Sequence, residues 1–189
     1  MLADLLKKDT LSNHQQLEKI LVARMKAIRS KQDYIDLLQL FYSYFGGLEK
    51  LIDRYLDKSI FPDYDQRRKS ASLAHDINIL GGTLQNLATG SALPAISNTL
   101  QAMAALYVIE GSTLGGRFIS KMIAQQLHLT DNAGLSFFNS YGDNTETMWN
   151  IFKEALDKQG TSSQENEEVV TTANYTFARF KDWAQRTLA

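Results

Sequence analysis

The chain has no cysteine among its 189 residues, so it can hold neither a disulfide framework nor a thiolate site for zinc or an iron–sulfur cluster. Any metal ligand must then be His, Asp or Glu. Surplus charge is also missing: 20 Lys and Arg stand against 21 Asp and Glu, which removes the electrostatic case for a nucleic-acid partner. Long apolar runs are absent as well. The longest, Ala102 to Ile109, falls far short of the ~20 residues that span a bilayer, and Asp4, Lys7, Lys8 and Asp9 interrupt any secretory core at the start. These absences set the expectation of a cytoplasmic protein with neither membrane nor nucleic acid among its partners.

Proline is scarce too, occurring only at Pro62 and Pro94, and apolar residues recur with helical period between and beyond them. No stretch reads as a strand. The pattern predicts an all-α, compact irregular bundle of six to eight helices forming a single domain over residues 1–189. A first helix is expected from within residues 2–10 to about Ser30, with Leu17, Leu21, Met25 and Ile28 on one stripe and His14 extending it inward. A second should run from Asp33 to Leu56, where Gly46-Gly47 signals a kink or a close approach by another helix. Helices at Arg67 to Leu80 and Leu84 to Ala88 should follow, then a long one from Pro94 to near Leu127. A short helix and turn around Phe137 to Gly142, and helices at Thr145 to Lys158 and Ser163 to Thr187, complete the chain. Ser162 and Glu165 offer a capping box for the last.

Inside the long central helix stands Tyr107-Val-Ile-Glu-Gly-Ser-Thr-Leu-Gly-Gly-Arg117. Each interior glycine gives up roughly 1 kcal/mol of helix propensity relative to alanine, so Gly111, Gly115 and Gly116 need a reason. Gly111 and Gly115 are four apart, as are Ser112 and Gly116, which turns bare backbone to one side. Two readings explain it: close packing of a second helix, or a flat object lying against the exposed backbone.

Three histidines occur, and only His14 has a suggestive neighbour on its own face, Glu18 one turn on. An imidazole that binds a metal commonly donates its other ring N–H to a carboxylate, and this spacing allows that; a satisfied core histidine beside a surface glutamate is the alternative. His75 and His128 read as solvated or structural. Arg67-Arg68-Lys69 and Glu165 to Glu168 read as solvated faces. The zinc motif H-E-x-x-H, the phosphate loop G-x-x-x-x-G-K-[ST] and the nucleophile elbow G-x-S-x-G are all absent.

Taken together, Thr10-x-x-x-His14-x-x-x-Glu18 and the Tyr107 to Gly116 stretch resemble the heme oxygenase family. The nearest likeness is to its bacterial branch, which includes enzymes that accompany bacteriophytochromes. Phe137-Phe138 with Tyr141-Gly142, Trp149-x-x-Phe152, and Ala173-x-x-x-Phe177-x-x-Phe180-x-x-Trp183 resemble the family too. The resemblance implies heme between two helices, with His14 as proximal iron ligand and metal site, Glu18 as its companion carboxylate, and Gly111, Ser112, Gly115 and Gly116 forming the distal wall. It implies that heme is both substrate and cofactor. With O2 and electrons from an external ferredoxin, flavodoxin or reductase-type donor, it is opened to biliverdin, releasing CO and iron.

Lys7, about two turns before His14, and Lys153 are the implied partners of the heme propionates. The basic first segment, with seven Lys and Arg against three Asp and Glu in residues 1–31, includes Lys19, Arg24, Lys26 and Arg29 and is the implied docking surface for the donor. A bacteriophytochrome is the implied consumer of biliverdin, with iron acquisition as the other role. Arg117 faces either the pocket or the surface. Animal-type members carry an aspartate where this chain has Ser112, which leaves room for a non-enzymatic heme-binding or carrier protein of the same fold. A pocket protein without heme is the remaining reading.

Overall fold

A computed structural model describes residues 1–188 of the chain. Among them are nine α-helices and three short 3-10 turns, with no strand: α1 (Leu2–Asp9), α2 (Leu11–Ala27), α3 (Lys31–Tyr55), α4 (Ser70–Ile79), α5 (Thr99–Gly111), α6 (Gly116–Gln126), α7 (Ser136–Asn139), α8 (Thr145–Asp157) and α9 (Ser163–Leu188). The all-helical class agrees with the sequence pattern; the count exceeds the expected six to eight because two long helices are broken.

The first break falls at Thr10, whose hydroxyl donates to the Leu6 carbonyl at 2.7 Å. Across it, the Asn174 side chain on α9 donates to the Asp9 carbonyl at 3.2 Å and accepts from Asn13 at 2.7 Å. Local hydroxyl bonding competes with the helix ladder, and a residue 165 positions away fixes the result. The second break, at Ser112 to Gly115, separates α5 from α6. Nor does α5 begin at Pro94: Asn98 caps it by accepting the Gln101 N–H at 2.9 Å.

The aromatic stripe of α3 packs inward, and its Gly46-Gly47 pair does admit a close approach, although by extended chain and not by a helix. A Cβ on Gly47 would fall on the Ala88 carbonyl. Residues 82–89, expected to include a short helix, are non-helical because α3 satisfies their backbone. The Gln39 amide donates to the Thr83 carbonyl and accepts from the Gln85 N–H at 3.2 Å, while the Ser43 carbonyl accepts from Ala88 at 2.9 Å.

Helix α5 lies against α9 and α3, and its fully buried Ala102, Ala104 and Ala105 keep the backbones close. Between them sits an aromatic centre in which Tyr44 stacks on Phe180 with centroids 4.5 Å apart. Phe41 meets Phe180 edge-on at 5.3 Å. Helix α9 opens with the expected box, the Glu165 N–H donating to Ser162 Oγ at 3.2 Å and the Ser162 N–H to Glu165 Oε2 at 2.9 Å. No helix among the described residues is long and apolar enough to cross a membrane.

Candidate functional site

Leu17, Leu21 and Met25 anchor α2 in the core, and His14 continues their stripe where the packing opens. It faces a cavity of about 360 Å³ whose opposite wall is the junction of α5 and α6. The His14 ring lies 5.4 Å from Phe177 of α9, tilted by 44°. Phe41, Phe45, Phe137, Phe138 and Phe180 form the deep end, so the interior is apolar and the imidazole is the one nitrogen heterocycle in its lining. Glu18 lines the same cavity, one turn beyond His14 along α2.

Gly111, Ser112 and Gly115 face this space from the other side. A Cβ on Gly111 would meet nothing nearer than Trp149 at 3.8 Å, and one on Gly115 nothing nearer than Ile119 at 4.0 Å. Protein packing does not require either glycine, and both line the cavity. Gly116 is different, and its expected place on the distal wall is corrected: a Cβ there would fall on the carbonyl oxygen of Phe138. It serves the contact between α6 and α7.

The break between Gly111 and Gly116 is built by short-range bonds. Ser112 Oγ donates to the Ile109 carbonyl at 2.6 Å and Thr113 Oγ1 to the Glu110 carbonyl at 2.7 Å. Behind it lies a cluster of buried charge that the sequence pattern does not reveal. Arg67 and Arg68, expected on a solvated face, are both buried. Arg67 donates through Nη1 to Glu110 at 2.8 Å and to the Met148 carbonyl at 2.7 Å, and through Nη2 to Asp63 at 2.6 Å. Arg68 donates through Nη2 to Ser112 Oγ at 2.6 Å and to the Ile109 carbonyl at 2.9 Å, while its guanidinium lies 4.0 Å from the centre of the Phe137 ring. The Tyr141 hydroxyl donates to Glu110 at 2.9 Å and accepts the Arg68 backbone N–H at 2.8 Å.

Desolvation dominates the electrostatics of this cluster. Burial pushes the Arg68 guanidinium down to about 10, against the pull of Glu110, so it remains a cation at neutral pH. Burial also holds the Glu110 carboxyl above its ordinary value despite Arg67, Tyr141 and Arg68. For Arg67, burial acts to lower the value, but Glu110 and Asp63 outweigh it and the group lies above its usual range. One signal of this cluster stands in the sequence: Glu110 directly follows the longest apolar run, and a carboxylate so placed needs a cation.

A family model described as heme oxygenase matches residues 1–186. The chain belongs to the heme oxygenase family. It is thereby a member of a family of heme-degrading enzymes. A heme oxygenase of Xanthomonas campestris pv. campestris is 26% identical over 147 residues, 78% of this chain and 86% of that protein. Heme oxygenase PigA of Pseudomonas aeruginosa is 27% identical over 176 residues, covering 93% and 87%. Among solved structures, the NO- and CO-bound heme oxygenase from Neisseria meningitidis superposes with a TM-score of 0.83 at 23% identity, covering 99% of this chain and 92% of that one. The heme oxygenase from Leptospira interrogans gives 0.78 at 20%, covering 98% of each. At such identities the superpositions establish a shared heme oxygenase fold.

The cationic residues drawn from the family resemblance are distributed differently from expectation. Lys7 is exposed on α1 and Lys153 lies 6.0 Å from the Trp149 ring on α8, both outside the cavity lining. Lys26, near the end of α2, is the basic residue that does line it. Arg117 takes the surface alternative, paired with Asp143 at 2.8 Å with both side chains largely exposed. Leu114 and Phe118 stand at the cavity with 52% and 74% of their surface exposed.

Proposed function

We infer that this protein is a heme oxygenase that binds heme in the cavity between α2 and the α5–α6 break and opens it to biliverdin, with His14 as the axial iron ligand. The observation that carries this reading is His14 facing Gly111 and Gly115 across one aromatic-lined space. A flat, largely apolar macrocycle with one coordination position fits such a space: the phenyl rings receive its faces, and the bare backbone admits close approach. Bound heme supplies the redox chemistry with O2; the chain supplies position, dryness and hydrogen bonds.

Each lining residue then has a task. His14 donates a ring nitrogen to iron. Glu18, one turn further along α2 and on the same cavity lining, would orient that imidazole once the ligand is bound. Gly111 and Gly115 keep the far side open to a small molecule such as O2. Lys26 at the cavity replaces Lys7 and Lys153 as the favoured propionate partner, since those two lie outside the lining. Electrons come from an external donor, and Lys19, Arg24 and Lys26 on α2 offer an acidic partner a basic face.

Titration with hemin tests the binding. The wild-type protein should develop a Soret band shifted from free hemin, and His14→Ala should lose the imidazole-ligated spectrum. An identical spectrum in both would refute ligation by His14. Reduction under O2 with a ferredoxin-type donor should then yield biliverdin absorbance.

A heme carrier is the second reading, and one observation favours it: the only hydrogen on the Ser112 hydroxyl is spent on the Ile109 carbonyl, so Ser112 has none left to donate to a bound ligand. Stable bound heme with no biliverdin in the turnover assay would decide for it.

A further inference from the structure

Behind the far wall of the cavity, Arg68 is a buried cation with an uncommon placement. Its Nη2 carries two N–H groups: one is used on the Ile109 carbonyl at 2.9 Å, the other on Ser112 Oγ at 2.6 Å. Nη1 reaches only the Phe137 carbonyl at 3.4 Å, and Nε has no partner. A guanidinium with five donors is thus incompletely satisfied in a buried setting, and two residues that line the cavity touch it, Ser112 through its hydroxyl and Phe137 through its ring.

Two hydrogen bonds engage the Ser112 hydroxyl. A hydroxyl has one hydrogen and two lone pairs. Its hydrogen goes to the Ile109 carbonyl at 2.6 Å, and one lone pair takes the N–H of Arg68. What remains is a single acceptor, on a residue that lines the cavity. We propose that Arg68 is a positioning residue that locks the Ser112 hydroxyl as an acceptor facing the cavity, and that Ser112 in turn screens the Arg68 cation from ligands bound there.

The consequence is a selective distal surface. A molecule with a hydrogen to give, such as water, is held at Ser112, whereas a small anion meets a lone pair in place of the cation behind it. Glu110 adds to this, since its carboxylate is bound to Arg67 and Tyr141 and partly balances the field of Arg68. Removing Ser112 Oγ should leave the Arg68 N–H that it accepts without that partner, next to a residue position that lines the cavity.

This inference rests on the heme reading, and azide added to the ferric hemin complex tests it. Ser112→Ala should bind azide about tenfold more tightly than wild type, the worth of one hydrogen bond from a charged donor. In an Arg68→Met background the same serine change should leave azide affinity within about twofold, since no cation remains to be uncovered. Unchanged or weaker azide binding in Ser112→Ala overturns the proposal. So does an equal tightening in both backgrounds. Should Arg68→Met fail to fold, Arg68→Gln supplies the neutral background in its place. A wild-type protein that gives no Soret shift with hemin sinks the heme reading and this inference with it, whereas a normal shift with the wrong azide pattern sinks this inference alone.

Discussion

The guanidinium of Arg67 and the carboxylate of Glu110 meet at 2.8 Å with neither side chain exposed to solvent. A buried pair of this kind is costly to assemble and costlier to break, because the surviving charge has no water to turn to. Here it ties the last turn of α5 to the chain ahead of α4, and so fixes the height at which the helix breaks over the cavity.

Glu110→Ala should therefore destabilise the fold by about 3–5 kcal/mol. Chemical denaturation of the apo protein measures this, and a loss below about 1 kcal/mol would show that the pair is dispensable. Glu110→Gln, which keeps an acceptor for Arg67, should recover part of the loss.

Gly115 and Gly116 are adjacent, yet their substitutions should separate. Gly116→Ala drives a methyl into the Phe138 carbonyl and should cost about 1–3 kcal/mol of stability. Gly115→Ala should leave stability unchanged, and Gly115→Leu should fold normally while filling the cavity and weakening hemin binding. Thermal melts paired with hemin titration check both halves; normal turnover in Gly115→Leu would remove that glycine from the site.

Lys26→Ala should weaken hemin about threefold, the modest worth of a charge contact at a solvent-accessible edge. Lys7→Ala and Lys153→Ala should be silent in the same titration. A larger effect at Lys7 would return the propionate contact to α1.

The start of α9 supplies a pH signature. Hydroxyls of Thr161 and Ser162, with their backbone N–H groups, hold the Glu165 carboxyl below its ordinary 4.5. A carboxyl lowered on folding stabilises above its unfolded value and loses that contribution as pH falls through its folded one. Glu165→Gln should accordingly melt at a lower temperature than wild type at pH 7, with the difference closing below 4.5. A constant difference across that range would place the effect elsewhere.

Much of this was readable from residue order. The helical class follows from apolar period and scarce proline, and the Ser162 to Glu165 box from local chemistry alone. His14 continues the Leu17, Leu21 and Met25 stripe, so its direction is a property of one helix. The glycine spacing likewise marks a surface without side chains.

Tertiary structure decided the rest. Sequence cannot distinguish a glycine that borders open space from one that makes space for a carbonyl; Gly115 is the first, and Gly116 is the second through where α7 lies. Arg67 and Arg68 look like a solvated run until folding brings Glu110, Ser112 and Tyr141 to them from more than 40 residues away. Periodicity records which face of a helix is apolar. It does not record which buried charge finds its partner across the fold, because that match is made by distance in space, and the chain between the two is silent about it.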